Sequence, residues 1–165
     1  MFINSFQTNL KRVCNEIYRN IGGTGPEKIY QNALCFELNQ LYKNEYDIYK
    51  EEVIPLFYKD KKVSVNRLDL SLYPKIDGDI NVPPAVILEL KWTYQSKLDP
   101  WQLSNYMKLK NCKYGFLINF EKLGSYPTNF CAQVYDIETN EKITYPVPDQ
   151  KYGSVKILRF ESLKV

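Results

Sequence analysis

Two short stretches of this chain place charged side chains where chemistry could follow. In AVILELKWTYQSK, residues 85–97, the greasy run Ala85–Leu88 ends with Glu89 and Lys91 on either side of Leu90. Side chains alternate along a strand, so Glu89 and Lys91 share one face. In the earlier β-rich run RLDL, Arg67 and Asp69 share a face for the same reason. If the two strands are neighbours, Asp69, Glu89 and Lys91 converge at one sheet end. Two carboxylates there suit a hard divalent cation such as Mg²⁺, at ~2.0–2.1 Å from oxygen, with waters completing the shell. Such an ion polarises a phosphate and acidifies a bound water. Lys91 would orient that water or offset charge developing in the transition state.

The elements that must position these groups are legible as patterns. Phe6, Leu10, Val13, Cys14, Ile17 and Ile21 recur at helical spacing, and Gly22-Gly23 supplies a stop. Pro26 fits a first helical position, and 26–43 reads as a second helix. Glu27 sits in its first turn, favoured by the helix dipole, on one face with Tyr30, Leu34, Leu38 and Leu41. Two β-rich runs then flank KDKK, a hairpin signal, with Pro55 arguing for an edge strand or a bulge. Residues 74–84 form a Pro-, Gly- and Asp-rich loop ahead of the Glu89/Lys91 strand. Asp99 caps a following helix, with Pro100 in its first position, that runs to about Asn111. Gln102 and Tyr106 are four apart and lie on one face of it. An amide and a phenol facing the site would hold a phosphate or steady Lys91. KYGFLINF is a further buried strand, and AQVYDI and SVKILRF are strand-like pieces of a β-rich tail. The expected fold is α/β, with helices packed on a mixed sheet.

Composition narrows the chemistry. The chain has 165 residues, enough for one domain spanning 1–165. It has no histidine, which excludes a Ser-His-Asp triad, a Cys-His pair and any imidazole metal ligand. A net charge of +3 is too small to demand nucleic acid. Cys14, Cys35, Cys112 and Cys131 are scattered without a CxxC pair, which reads as a reducing, intracellular setting. The start MFINSFQTNLKR lacks a cleavable secretory pattern, and no apolar run reaches ~18 residues, so neither secretion nor a membrane span is expected.

Asp69 followed by Glu89-Leu90-Lys91 resembles the signature of the PD-(D/E)XK nuclease superfamily, and QLSNY, Gln102 to Tyr106, looks like the QxxxY element of its exonuclease-like branches. GTGPEKIYQNALCFEL, RLDL, VILELK, QLSNYMKL and GFLINF, in this order over roughly residues 8–120, resemble the small GxxExxY proteins of that superfamily. The resemblance implies a restriction-endonuclease-like core: a mixed sheet of about four strands flanked by helices, here with a β-rich C-terminal extension. It also implies a phosphodiesterase centre dependent on Mg²⁺ or Mn²⁺. Asp69, Glu89 and Lys91 match the core triad, Gln102 and Tyr106 the helix that follows, and Glu27 and Tyr30 the first block. Asp69 and Glu89 would bind metal, with Glu27 completing the shell directly or through water. Thr24 stands where that block has glycine, with Gly23 and Gly25 beside it. The substrate implied is nucleic acid, DNA before RNA, cut by metal-activated water.

Plainer readings stand beside these. Glu89–Lys91 alone would pass for a solvated strand-end ion pair worth ~0–1 kcal/mol, and Asp69 with Arg67 for a structural pair. Asp77 and Asp79 read as turn formers. Lys59, Lys61 and Lys62 at the hairpin tip, with Lys108, Lys110 and Lys113, are solvated faces or phosphate contacts. The rival function is a catalytically inactive module that keeps the fold to bind nucleic acid or protein.

Overall fold

The computed structural model describes residues 2–23, 25–76, 82–92, 100–120, 133–135, 142–144 and 155–162. Helices α1 (Phe2–Ile21) and α2 (Glu27–Tyr42) come first, then strands β1 (Tyr46–Tyr58), β2 (Lys61–Pro74) and β3 (Val86–Lys91). Helix α3 (Trp101–Leu109) and β4 (Tyr114–Phe120) follow, then short β5 (Gln133–Tyr135), β6 (Lys142–Thr144) and β7 (Val155–Glu161). The main sheet has five strands in the order β1-β2-β3-β4-β7. Only β3 and β4 run parallel in it; the other neighbours are antiparallel. β5 and β6 pair separately. The expected mixed sheet flanked by helices is present, and the C-terminal β7 enlarges it from about four strands to five.

β3 and β4 are mostly apolar, interrupted by Glu89, Lys91 and Asn119, because both of their faces are covered. Leu88, Leu90, Phe116, Ile118 and Phe120 pack with α1 and α2 on one side, around Phe6, Leu10, Val13, Tyr30, Leu34 and Leu38. Ile87 and Leu117, the residues between, pack on the other side with Leu103, Tyr106 and Met107 of α3. α3 lies close to β4 at Gly115. A Cβ there would stand 2.5 Å from the Met107 sulfur and 3.0 Å from a Leu103 methyl. Gly115→Val is expected to lower stability by about 1–3 kcal/mol through overpacking, read as a fall in the thermal unfolding midpoint.

Several boundaries differ from expectation. Pro26 and Pro100 stand just before α2 and α3 rather than in their first turns, and α3 ends at Leu109. The apolar stripe of α2 closes on buried Tyr42, while Leu41 is 39% exposed. Leu38 and Tyr42 are one turn apart on the buried face, and Leu41, one residue before Tyr42, is rotated away from the core. The hairpin turn narrows to Lys59–Asp60, and β1 is the sheet edge, as Pro55 requires. Cys14 and Cys112 are buried, Cys35 is half-buried, and all three are free thiols. Thr24, Asp77, Asp79, Asp99 and Cys131 lie outside the described residues. No helix among the described residues is long and apolar enough to cross a membrane.

Candidate active site

The site forms where two strands part. β2 and β3 pair from Leu72↔Val86 to Leu70↔Leu88 and no further, while β3 continues beside β4 as far as Lys91↔Asn119. Asp69 and Glu89, the next residue on each strand, therefore stand at the mouth of a fork. The Leu90 N–H donates to Asp69 Oδ2 at 2.7 Å, so a side-chain carboxylate takes over where the β2 ladder stops.

Glu89 is 1% exposed. Its Oε1 accepts from Lys91 Nζ at 2.6 Å, and its Oε2 is buried without a partner. Burial and then the nearby Asp69 charge push its carboxyl up to about 7, against the opposing pull of Lys91. Burial also raises Asp69 to about 6; Glu27 adds to this, while the Leu90 N–H, Lys91 and Gln31 pull the other way. Burial by itself would lower Lys91, but Glu89, helped by Glu27 and Asp69, holds its ammonium above the ordinary range. At neutral pH Lys91 is therefore a cation and a donor, not a free base.

A donor chain fixes Lys91 from the far side. Tyr106 Oη donates to the Arg67 carbonyl at 3.0 Å and accepts from Gln102 Nε2 at 2.9 Å. The amide is thereby turned so that Gln102 Oε1 accepts from Lys91 Nζ at 3.0 Å. The sequence left open whether this pair holds a phosphate or steadies Lys91, and the hydrogen bonds run to Lys91. Tyr106→Phe is expected to free the amide and cut kcat roughly tenfold, within the lower range for a lost positioning group. Adding Gln102→Ala should change little more, because the two act as one unit; single-turnover rates of both variants check this.

Glu27 opens α2 and reaches the end of β3, where its Oε2 accepts the Trp92 N–H at 3.1 Å. Trp92 Nε1 donates in turn to the Gly23 carbonyl at 3.0 Å. Tyr30 is a clamp in this corner: its hydroxyl donates to the Gly22 carbonyl at 2.5 Å and accepts from Gly25 N–H at 3.3 Å. Its ring stacks on Phe120 at 4.5 Å. Gly22, at φ +78°, ends α1 in the left-handed region where glycine is favoured.

One residue escaped the sequence reading. Gln31 is 4% exposed and donates from Nε2 to Asp69 Oδ1 at 3.1 Å, leaving its Oε1 buried without a partner. Its signal was a polar residue one turn beyond Glu27 on an otherwise apolar stripe.

The donors fit a hard cation. They are carboxylate oxygens, one of them buried and unpartnered, beside raised acids that a positive charge would bring down. Among the described residues no group of three or more acidic or thiol side chains stands where it could hold a metal ion, so Glu27, Asp69 and Glu89 do not form a three-residue metal set. An ion here would take one or two carboxylates and fill its shell with water or substrate oxygen, the habit of Mg²⁺.

Neither the curated proteins nor the solved structures compared with this chain give a match. A family model described as the PD-(D/E)XK nuclease superfamily matches residues 4–129. That span runs from the first turn of α1 through β4, including both arms of the fork and the helix that holds Lys91. On a match of that extent, the chain belongs to the PD-(D/E)XK nuclease superfamily.

Proposed function

We propose that the chain is a Mg²⁺- or Mn²⁺-dependent nuclease that hydrolyses phosphodiester bonds in DNA. Members of the superfamily are usually metal-dependent nucleases. The observation that carries the reading to this chain is the buried, unpartnered Glu89 oxygen in a fork shared with Asp69 and a protonated Lys91. Structural ion pairs are satisfied on both sides; this one leaves a carboxylate lone pair in a dry place, which evolved interiors rarely do without use.

Asp69 and Glu89 would hold the cation, with Glu27 reaching it through water. When bound, the cation supplies Lewis-acid polarisation of the phosphate and a more acidic water. Lys91 directs its ammonium at the oxygen charge that grows in the transition state. Gln102 and Tyr106 keep it aimed, and Gln31 holds Asp69 in place. The chain has no imidazole to protonate the leaving oxygen, so solvent water serves that step. The ordered blocks support a likeness to the small GxxExxY proteins, and we read the chain as one domain acting inside the cell.

The test is incubation of the protein with single- and double-stranded DNA and RNA in Mg²⁺, Mn²⁺ or EDTA. Cleavage of DNA with either metal and none in EDTA is expected. Binding that ignores metal, with no substrate cut, would identify the inactive binding module instead.

A further inference from the structure

The β1–β2 hairpin is much longer than the sheet that carries it. Its strands pair with each other from Tyr46↔Pro74 to Tyr58↔Lys61, but β3 covers β2 only at Leu70–Leu72. Ile54 and Leu68 anchor the hairpin on α3 through the second apolar cluster. Beyond them, residues 57–65 are all exposed. Asp60 at the turn lies nine residues from Asp69, roughly 30 Å at strand rise. The result is a two-stranded arm rooted at the fork and reaching well past it.

The arm's charge is one-sided. Residues 55–67 hold Lys59, Lys61, Lys62 and Arg67 against Asp60 alone, a net +3 that equals the net charge of the whole chain. Among the described residues none of the three lysines is in an ion pair. Large rings and β-branched side chains lie beside them: Phe57 is 62% and Tyr58 68% exposed, with Val63 and Val65 also exposed. The outer edge, by contrast, is blunted against strand addition. Pro55 removes a donor, Glu51 turns the backbone at φ 55°, and the register shifts between Leu56 and Phe57. The usable surface is therefore the faces and tip of a cationic ribbon, not its edge.

Resting on the nuclease reading, we infer that this arm is the grip on double-stranded DNA, lying in the major groove with Lys59, Lys61 and Lys62 against the phosphates. A two-stranded ribbon fits a major groove ~12 Å wide. The deep, narrow major groove of an RNA duplex does not admit it. Its reach of roughly 30 Å places the tip contacts nearly one helical turn, ~34–36 Å, from the bond in the fork.

The test separates grip from chemistry. Binding is measured in EDTA by fluorescence anisotropy on a 30-base-pair DNA duplex, the matching RNA duplex and a 30-nucleotide single strand, across a salt series. The wild type and the exposed triple variant Lys59→Ala/Lys61→Ala/Lys62→Ala are compared. Hydrolysis of bis(4-nitrophenyl) phosphate with Mn²⁺ reads the fork alone. DNA duplex is expected to bind tightest. The triple variant should bind it at least tenfold more weakly, with a salt slope shallower by about 2.7, three phosphate contacts at ~0.9 each. Its hydrolysis of the small diester should match the wild type. An unchanged slope, or equal affinity for RNA duplex, overturns the inference. So does a dimer in sedimentation that Phe57→Ser/Val65→Ser dissociates without altering the DNA slope, since the arm would then join two copies. A shallower slope without hydrolysis of the small diester leaves the arm standing and removes the nuclease reading.

Discussion

Alanine in place of Lys91 is expected to lower kcat for DNA cleavage by about 10²–10³, the scale for losing a buried donor aimed at developing charge. The ammonium is surrounded by partners that all act to keep it charged and still. Glu89 Oε1 accepts at 2.6 Å, Gln102 Oε1 at 3.0 Å, and the amide is itself oriented by Tyr106. Only 24% of the side chain is exposed, so water screens it weakly. Arginine should not restore the rate, because its planar fork cannot reproduce a point charge held between two oxygens. The measurement is single-turnover cleavage at saturating Mg²⁺, with the melting curve of each variant recorded beside it. A Lys91→Ala rate within threefold of wild type would reduce the residue to a structural counter-ion.

Glu89→Gln should do two opposite things: abolish cleavage and make the metal-free protein more stable above neutral pH. The folded state holds a proton on Glu89 up to about 7, against an ordinary value of 4.5. A carboxyl raised by folding binds its proton more tightly in the native state, so its ionisation favours unfolding. The penalty is present above pH 7, shrinks as pH falls through 7 and is gone below about 4.5. Asp69, raised from 3.8 to about 6, contributes with the same sign over a lower window. Glutamine keeps the oxygen that faces Lys91 and removes the buried charge. The gain expected at pH 8 is about 1–3 kcal/mol, less than the rise from 4.5 to about 7 would give at ~1.4 kcal/mol per pH unit, because the amide nitrogen takes the unpartnered place of Oε2; the midpoint should rise roughly 2–4 °C per kcal/mol. At pH 4.5 the two proteins should melt together. Mg²⁺ at millimolar concentration should raise the wild-type midpoint and leave the variant unmoved, because only a state that binds the ion is stabilised by it. Melting of Glu89→Gln below wild type at pH 8 would contradict the trade of stability for function that the fork implies.

The comparison of sequence with structure divides along the range of the interactions. Period-2 alternation put Glu89 and Lys91 on one face, and helical spacing put Gln102 beside Tyr106, because the backbone geometry within one element fixes both. Pro55 marked the edge strand for the same local reason: it cannot donate to a second ladder. The acidic first turn of α2 was likewise plain at Glu27. What the sequence could not supply was where β2–β3 pairing stops. Beside the fork, Leu68 and Ile87 pack in one apolar cluster with Leu103, Tyr106 and Met107 of α3, a contact between separate segments that no local pattern encodes. The orphaned Glu89 oxygen and the Leu90 N–H turned to Asp69 belong to the same fork. Gln31 and Leu41 show the same limit from the side of burial. Both sit on a helix whose apolar stripe is broad, and only the packing of α1 and the sheet against it decides that the amide is covered and the leucine is not. Residue type and spacing thus determined which groups were available for chemistry. Tertiary packing decided which of them lost water and hydrogen-bond partners, because desolvation is a property of everything around a group and not of its neighbours in the chain.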